Sequence, residues 1–351
     1  MRQRSIRALR RLGMASPLPF IGRDRELAAI ARALTDTVAV VVRGPVGSGK
    51  TRLATEVAAC AEISAEFADI AYIRCEPGER GRAVLARAER RMGILPGSLR
   101  RVLAAEARAL IVDDIHNLDG RDAARTAAAL VPRGADAAGR VLLLSRDDVP
   151  LSRTTAAVRF DLDGLDETAA RQLWHHLEDS YGPTGHGACD RALVATRAMP
   201  LALRREYARA SFGDAVWNIE DITGPARAVL DAVAVLRLPA APAAILTLAD
   251  EADECATVAQ LGATGGPRRE ELEGALADRV AHQLIDPCAD GRFVLHESVR
   301  DRVLAAMTGP RRCSLERRAA ALIAAMGPSP AERVPGSECD GALGRLGPID
   351  R

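Results

Sequence analysis

The sequence predicts an α/β fold, with a parallel β-sheet in the first half of the chain and helical modules in the second half. Three observations support this prediction. Short apolar runs without polar alternation recur up to about residue 160, and such runs are typical of strands buried on both faces. Segments of helical length, rich in Ala, Arg and Glu, separate them. Strand-like runs nearly disappear after residue 160, and amphipathic helical patterns replace them.

Five runs are the candidate strands of this sheet. Residues 38–42 form a β-branched run with one alanine, and residues 109–112 and 141–144 read ALIV and VLLL. Residues 69–74 (DIAYIR) and 157–162 (AVRFDL) are more mixed, and the last of these is the weakest signal. The alternation of these runs with helices indicates an open sheet of parallel strands.

Helical patterns and one hairpin signal follow the sheet. Asp166 is a candidate N-cap for a helix with a one-sided apolar face. That face consists of Ala169, Ala170, Leu173, Trp174 and Leu177. A second helix is predicted over residues 192–197 and ends near Pro200. Helices near 225–236 and 269–283 precede two short apolar runs around an Asp-Gly turn, and this combination predicts a winged-helix module.

Composition excludes several classes of function. The chain has 351 residues, with 48 basic against 47 acidic ones, a net charge of +1 and an aromatic content of 3%. A dedicated nucleic-acid binder normally has a basic excess, and a base-stacking surface needs aromatic side chains. No apolar run approaches the ~18 residues of a membrane span, and the basic N-terminal segment lacks the apolar stretch of a signal peptide. The cysteines form no CxxC pair, which indicates a reduced, cytoplasmic compartment.

The strongest motif follows the first predicted strand. Residues 44–51 read GPVGSGKT and match the phosphate-binding loop G-x-x-x-x-G-K-[ST] of P-loop NTPases. Its glycines let backbone N–H groups surround phosphates, and the following helix adds the positive end of its dipole. Lys50 is the only lysine of the chain, and the planar arginine side chain does not suit the inside of such a loop. The alternative is a glycine-rich turn that binds nothing.

This loop predicts ATP or ADP and Mg²⁺ as cofactors. Lys50 is expected to contact the β- and γ-phosphates, and the hydroxyl of Thr51 is expected to bind Mg²⁺. The nucleotide-binding residues predicted here are Gly44, Pro45, Val46, Gly47, Ser48, Gly49, Lys50, Thr51 and Arg52.

Polar side chains end two later strands. Residues 110–116 read LIVDDIH, which places Asp113 and Asp114 at the end of a buried strand. Asp113 is a candidate Mg²⁺ ligand, and Asp114 is a candidate for positioning the attacking water. Neighbouring residues can divide these roles only because the strand ends there. The alternative is a pair of solvated surface acids, and His116 beside them fits a structural role better than a catalytic one.

The next strand ends in Ser145-Arg146. Arg146 is a candidate contact of the γ-phosphate, and the alternative is a surface arginine in an arginine-rich chain. The candidate catalytic residues are therefore Lys50, Asp113, Asp114 and Arg146.

Further segments share their order with one class of ATPase. Residues 20–27 read FIGRDREL and resemble the hhGRxxEL signature that precedes the phosphate loop in STAND-class signalling ATPases. The acidic pair and Ser145-Arg146 resemble the acidic pair and terminal sensor of that class. Residues 162–173, 198–203 and 295–300 resemble the start of its helical lid, its Gly-x-Pro-Leu-Ala-Leu motif and its winged-helix His motif. The similarity covers about residues 20–308 and is closest to the ATP-binding region of large LuxR-family transcriptional regulators.

The resemblance implies further roles. Ile21, Gly22 and Arg23 would lie against the adenine, Pro200 would cap it from the lid, and His296 would reach the β-phosphate of ADP in a resting state. Two departures stand out: Ala198 replaces the usual glycine of the lid motif, and Asp114 is shorter than the glutamate of fast ATPases. The second departure implies slow hydrolysis.

Five segments are expected along the chain: a basic leader (1–19), a P-loop NTPase domain (20–160), a helical lid (161–220), a winged-helix module (221–308), and a helix with a disordered tail (309–351). The last helix is predicted over 314–326. The leader is either a basic arm or the product of a start codon assigned too early, with Met14 as the alternative start. The family's helical repeats and helix-turn-helix reader do not follow, which raises the alternative of a truncated regulator.

These features predict a cytoplasmic ATP/ADP-binding switch with slow Mg²⁺-dependent hydrolysis, acting in transcriptional regulation. The alternatives are a non-hydrolysing nucleotide-binding scaffold and, less favoured, a remodelling ATPase. Expected partners are an unknown protein or a second copy of the chain in the ATP state, and no membrane. Direct DNA binding is disfavoured because the charges of the candidate reading helix sum to −1. A metal site at His175, His176, His186 and Cys189 is disfavoured because adjacent histidines on a helix diverge.

Overall fold

The computed structural model describes residues 19–134, 136–149, 151, 157–236, 239–250, 269–288 and 291–326. Nearly all of the expected leader and the tail after residue 326 therefore lie outside the described residues, as do Cys255 and Cys339. In the described part of the chain, no helix combines the length and the apolarity needed to cross a bilayer.

A five-stranded parallel sheet forms the first half and confirms the predicted α/β fold class. Its strands are β1 (Ala39–Arg43), β2 (Asp69–Arg74), β3 (Arg108–Asp113), β4 (Arg140–Ser145) and β5 (Ala157–Asp161). Their order across the sheet is β2-β3-β4-β1-β5, and each neighbouring pair is parallel. The runs with mixed sequence, β2 and β5, are the two edge strands, where one side lacks a neighbouring strand and more side chains stay accessible.

Helices cover both faces of the sheet. They are α1 (Asp24–Asp36), α2 (Lys50–Ala59), α3 (Ala61–Glu66), α4 (Gly81–Arg91), α5 (Leu99–Ala105) and α6 (Gly120–Leu130), with a short 3₁₀ turn at Ile115–Asn117. Alternate residues of the central strands enter different cores. Val41 and Leu143 pack with α4, α5 and α6, whereas Val42 and Leu144 pack with α1 and α2. This double burial explains why the strands lack polar alternation.

Three helices form the segment that we call the lid: α7 (Glu167–Tyr181), α8 (Ala188–Thr196) and α9 (Pro200–Phe212). The prediction for α7 is confirmed, since the side chain of Asp166 accepts a hydrogen bond from the Ala169 N–H and all five predicted apolar positions are buried. The expectation near Pro200 was incomplete. A helix does end just before it, but Pro200 also begins α9 at a position where the missing N–H costs nothing.

The remaining elements form what we call the hairpin module. It contains α10 (Gly224–Leu236), α11 (Pro242–Asp250), α12 (Arg269–Ala281), β6 (Ile285–Pro287), β7 (Phe293–Leu295), α13 (Glu297–Ala305) and α14 (Gly309–Met326), after 3₁₀ turns at Asp214–Trp217 and Ile219–Asp221. The predicted hairpin is present, with β6 antiparallel to β7 and Ile285 opposite Leu295. The last helix begins five residues before the predicted start, at Gly309, and α11 was not predicted.

Candidate functional site

The phosphate loop joins β1 to α2 at the carboxyl edge of the sheet. Gly47 and Gly49 have φ angles of 79° and 95°, in the left-handed region that favours glycine. Gly44 is required for a different reason, because a Cβ there would lie 2.5 Å from the carbonyl oxygen of Leu162. Backbone conformation therefore requires glycine at positions 47 and 49, and close approach of the Leu162 carbonyl requires it at position 44.

Lys50 begins α2 and is 7% exposed. Its Nζ donates to the carbonyl oxygens of Gly44, at 2.7 Å, and Pro45, at 2.9 Å, so the ammonium lies across the loop. The hydroxyl of Ser48 is fully buried and has no hydrogen-bond partner among the described residues. An unsatisfied buried hydroxyl is costly, and an anion held in the loop would satisfy it.

Asp113 ends β3 and is fully buried. Its Oδ2 accepts hydrogen bonds from the hydroxyls of Thr51, at 2.6 Å, and Tyr72, at 2.8 Å. Strand β4 lies between β1 and β3, yet the start of α2 reaches across it to this carboxylate. Burial, followed by the neighbouring negative charge of Asp113, raises the pKa of Tyr72 well above its usual value, so this phenol stays protonated and donates.

Asp114 lies just beyond the strand with φ 53° and ψ 39°, an uncommon left-handed conformation for a residue with a side chain. Its Oδ2 accepts from Arg74 Nε at 2.7 Å, and Arg74 Nη2 is also 2.7 Å away. Both acids are therefore at the strand end, but they have different neighbours. Tyr72 and Arg74 were not predicted as site residues, and the only available signal was polar groups within the strand-like run 69–74.

His116 lies between the two polar strand ends. Its Nδ1 accepts a hydrogen bond from the backbone N–H of Arg146 at 3.3 Å, and its Nε2 is 4.0 Å from Asp114 Oδ1. The Ser145 hydroxyl accepts a hydrogen bond from the Asp147 N–H.

A pocket of about 400 Å³ adjoins the phosphate loop. It is lined by Arg43, Gly44, Pro45, Arg146, Asp161, Leu162 and Asp163. Arg146 is thus at the same edge as the loop.

The segment expected against the adenine packs on the lid. Gly22 has φ 70°, and a Cβ there would lie 2.0 Å from the Cβ of Ala169, so only glycine fits against α7. Ile21 contacts the apolar core of the lid. Arg23 is buried, donates to the carbonyl of Asp163 and pairs with Glu26.

The lid also contacts the phosphate loop directly. The backbone N–H of Leu201, next to Pro200, donates to the Gly47 carbonyl at 3.3 Å. Ala198 has φ 54°, which is the conformation that the usual glycine would provide, and its carbonyl accepts from the Leu165 N–H. The alanine therefore keeps the lid turn but in a strained backbone region.

The other predicted residues lie elsewhere. Arg52 pairs with Glu56 one turn further along α2. Val46 is 41% exposed on the loop. His296 caps the N-terminus of α13, where its Nδ1 accepts from the Ser298 N–H, and its contact with ADP stays a prediction. Among the described residues, no group of three or more His, Cys, Asp or Glu side chains is placed to hold a metal ion.

Comparison with solved structures identifies the fold. A Signal Transduction ATPase with Numerous Domains (STAND) protein with a tetratricopeptide repeat sensor, from Pyrococcus horikoshii, matches 90% of this chain with a TM-score of 0.59 and 16% identity. The chain spans about half of that protein, 47% of its length. Cdc6p from Pyrobaculum aerophilum (TM-score 0.40, 16% identity, 86% of this chain and 97% of that one) and a Walker-type ATPase of Pyrococcus abyssi (0.41, 12%, 83% and 97%) also match.

No known family description and no curated protein sequence matches the chain. At these identities the likeness to the STAND protein shows the fold, which is that of the P-loop ATPases. The resemblance to LuxR-family regulators stays a prediction.

Proposed function

We propose that the chain is an ATP/ADP-binding switch that hydrolyses ATP slowly with Mg²⁺. The observation that carries the proposal is the 2.6 Å contact between the Thr51 hydroxyl and the Asp113 carboxylate. These residues are far apart in sequence, yet they present two oxygen ligands of the type that Mg²⁺ prefers beside the phosphate loop.

The loop suits the phosphates of a nucleotide. Lys50 supplies a compact positive charge that donates to the carbonyl oxygens of Gly44 and Pro45, and a charged phosphate would be a stronger acceptor than a carbonyl. The buried hydroxyl of Ser48 would donate to a phosphate oxygen there, and the N-terminus of α2 favours an anion. Ile21, Gly22 and Arg23 would lie against the base and Pro200 would close over it, as the resemblance implies.

The residues present also fit Mg²⁺. Thr51 and Asp113 would hold the ion, and Tyr72 keeps the Asp113 carboxylate oriented by donating to the same oxygen as Thr51. When bound, Mg²⁺ neutralises charge on the β- and γ-phosphate oxygens.

Asp114 is the residue we assign to positioning the attacking water, with Lys50 and Arg146 stabilising charge on the γ-phosphate. Its carboxylate is 7% exposed and engaged by Arg74, so an incoming water competes with a guanidinium for its oxygens. This competition, with the short aspartate side chain, supports slow turnover. Slow turnover gives the ATP-bound state the lifetime that a switch requires.

The same ion pair supports a second candidate, a scaffold that binds nucleotide without hydrolysing it. Single-turnover hydrolysis with excess protein over ATP separates the candidates. Measurable but slow conversion to ADP, abolished in Asp114→Asn, supports the switch. Tight ATP binding without conversion supports the scaffold, and turnover well above ~1 s⁻¹ contradicts both and favours a remodelling ATPase.

A role in transcriptional regulation is also part of the proposal and rests on the resemblance to LuxR-family regulators. The partner would be another protein or a second copy of the chain in the cytoplasm. Mass measurement by light scattering with ADP and with a non-hydrolysable ATP analogue tests self-association. An identical mass in both states would rule out assembly through the ATP state.

A further inference from the structure

Helix α9 touches the phosphate loop with its first turn. Leu201 donates its N–H to the carbonyl of Gly47, and a Cβ on Gly47 would lie only 2.6 Å from the Cβ of Leu201. The loop and the helix are thus in direct van der Waals contact. A displacement of α9 would change the environment of the loop backbone that surrounds the phosphates.

One turn later the same helix touches the hairpin module. Arg204 donates through Nε to the Oε1 of Gln283 at 3.0 Å, and its Nη2 pairs with Asp286 of β6. The pair is largely protected from water, with 12% of the Arg204 side chain and 20% of the Asp286 side chain exposed. Residues three apart on a helix lie on the same side, so Leu201 and Arg204 link the phosphate loop to the hairpin module through a single turn.

The partner residue Gln283 carries backbone strain. It has φ 59° and is 3% exposed, at the end of α12 where glycine is usual. Its amide nitrogen lies 3.3 Å from the carbonyl oxygens of Val280 and Ala281, which orients Oε1 towards Arg204. A glycine would remove the strain but also the acceptor for Arg204. Strain retained for one specific contact indicates that the contact has a function.

We propose that Arg204, together with Gln283 and Asp286, positions the nucleotide site. Through this contact, the position of the hairpin module determines the position of Pro200 and Leu201 over the phosphate loop. Nucleotide affinity then depends on the contact between the lid and the hairpin module, and linkage requires that nucleotide changes the stability of that contact in return. This inference rests on the proposed nucleotide binding.

Charge reversal tests the contact. Arg204→Asp and Asp286→Arg should each speed the dissociation of fluorescently labelled ADP at least about fivefold, the lower end of common coupling between sites. The double variant, which restores opposite charges in exchanged positions, should return the rate to within about twofold of the wild type. The measurement is stopped-flow displacement by excess unlabelled ADP.

Arg209→Asp is the matched control. Arg209 lies on the same helix but pairs with Glu206 and Asp214 within or next to the lid, and its side chain is 56% exposed. It should leave the dissociation rate unchanged. Arg204→Gln removes the charge without reversing it and serves if either reversal prevents folding. Leu201→Ala should also speed dissociation, and its effect should not add to that of Arg204→Asp because both act through one turn.

The outcomes separate the two proposals. If the wild type binds ADP but the Arg204 and Asp286 variants dissociate no faster than Arg209→Asp, the inference is wrong and the proposed function stands. Faster dissociation in both single variants without recovery in the double variant also overturns the inference, since general destabilisation then explains the rates. If the wild type binds neither ADP nor ATP, the proposed function fails and the inference fails with it.

Discussion

Arg74 holds the carboxylate of Asp114 at the end of the sheet, with Nε and Nη2 both 2.7 Å from the same oxygen. Arg74 ends β2, and Asp114 directly follows Asp113, the last residue of the neighbouring parallel strand β3, so a guanidinium from an edge strand reaches the acid assigned to water positioning. Arg74 therefore restrains the Asp114 carboxylate at this site.

Replacing Arg74 by alanine should speed hydrolysis. The carboxylate of Asp114 would lose a competing partner, and we expect the single-turnover rate to rise about fivefold, the factor that corresponds to the roughly 1 kcal/mol of a partly exposed ion pair. Arg108→Ala is the control, because Arg108 lies at the other end of β3 and pairs with Glu106 and Asp69. A rate below that of the wild type would show that Arg74 orients Asp114 productively instead of restraining it.

Both Lys50→Ala and Lys50→Arg should abolish nucleotide binding. Alanine removes the charge. Arginine keeps it but places a larger planar group in a site where Lys50 is only 7% exposed and its Nζ donates to two loop carbonyls. We expect ATP affinity to fall beyond about 100-fold, measured by fluorescence titration, as for loss of one member of a buried charged contact. Arg32→Ala on α1 should bind normally. Retained affinity in Lys50→Ala would refute the assignment of the loop.

Ala198→Gly should stabilise the protein. Ala198 has φ 54°, and releasing a side chain from the left-handed region is worth about 1 kcal/mol of unfolding free energy. Ala86→Gly in the middle of α4 should do the opposite, because glycine there only adds freedom to the unfolded chain. Chemical denaturation of both variants measures the difference. Destabilisation by Ala198→Gly would mean that its methyl group packs more favourably than its backbone strain costs.

Stability should fall in mild acid because of His282. Burial, and then the positive charge of Arg279, lowers the pKa of His282 below its ordinary value, and the ring packs against that of Phe212 at an interplanar angle of 56°, with centroids 4.6 Å apart. Below about pH 6.5, His282 therefore binds a proton in the unfolded chain but remains neutral in the folded chain until the pH falls to its lowered pKa. Unfolding free energy is therefore retained above about pH 6.5 and declines as pH falls from there to the lowered folded-state pKa.

Denaturation curves at a series of pH values for the wild type and His282→Gln check this. The variant should lose part of the acid-dependent decline, whereas His175→Gln, at a side chain 68% exposed, should keep it. An unchanged pH slope in His282→Gln would assign the decline to other groups.

Local patterns were enough to predict the strands, the phosphate loop and the helix capped by Asp166. An unbroken apolar run is compatible with few structures other than a strand buried on both faces, and Gly47 and Gly49 of the loop meet local backbone requirements. The start of α9 was missed because a proline that ends one helical pattern also suits the first turn of the next.

The sequence by itself determined which segments form the sheet and which loop is suited to phosphates, because both depend on residues close together in the chain. Only the tertiary structure decided which side chains surround that loop. The contacts of Asp113 with Thr51 and Tyr72, of Asp114 with Arg74, and of Arg204 with Gln283 join residues 40 to 79 positions apart. These contacts depend on the order of the strands and on the packing of α9. A periodic pattern of apolar residues predicts a strand but does not indicate which other strand lies beside it.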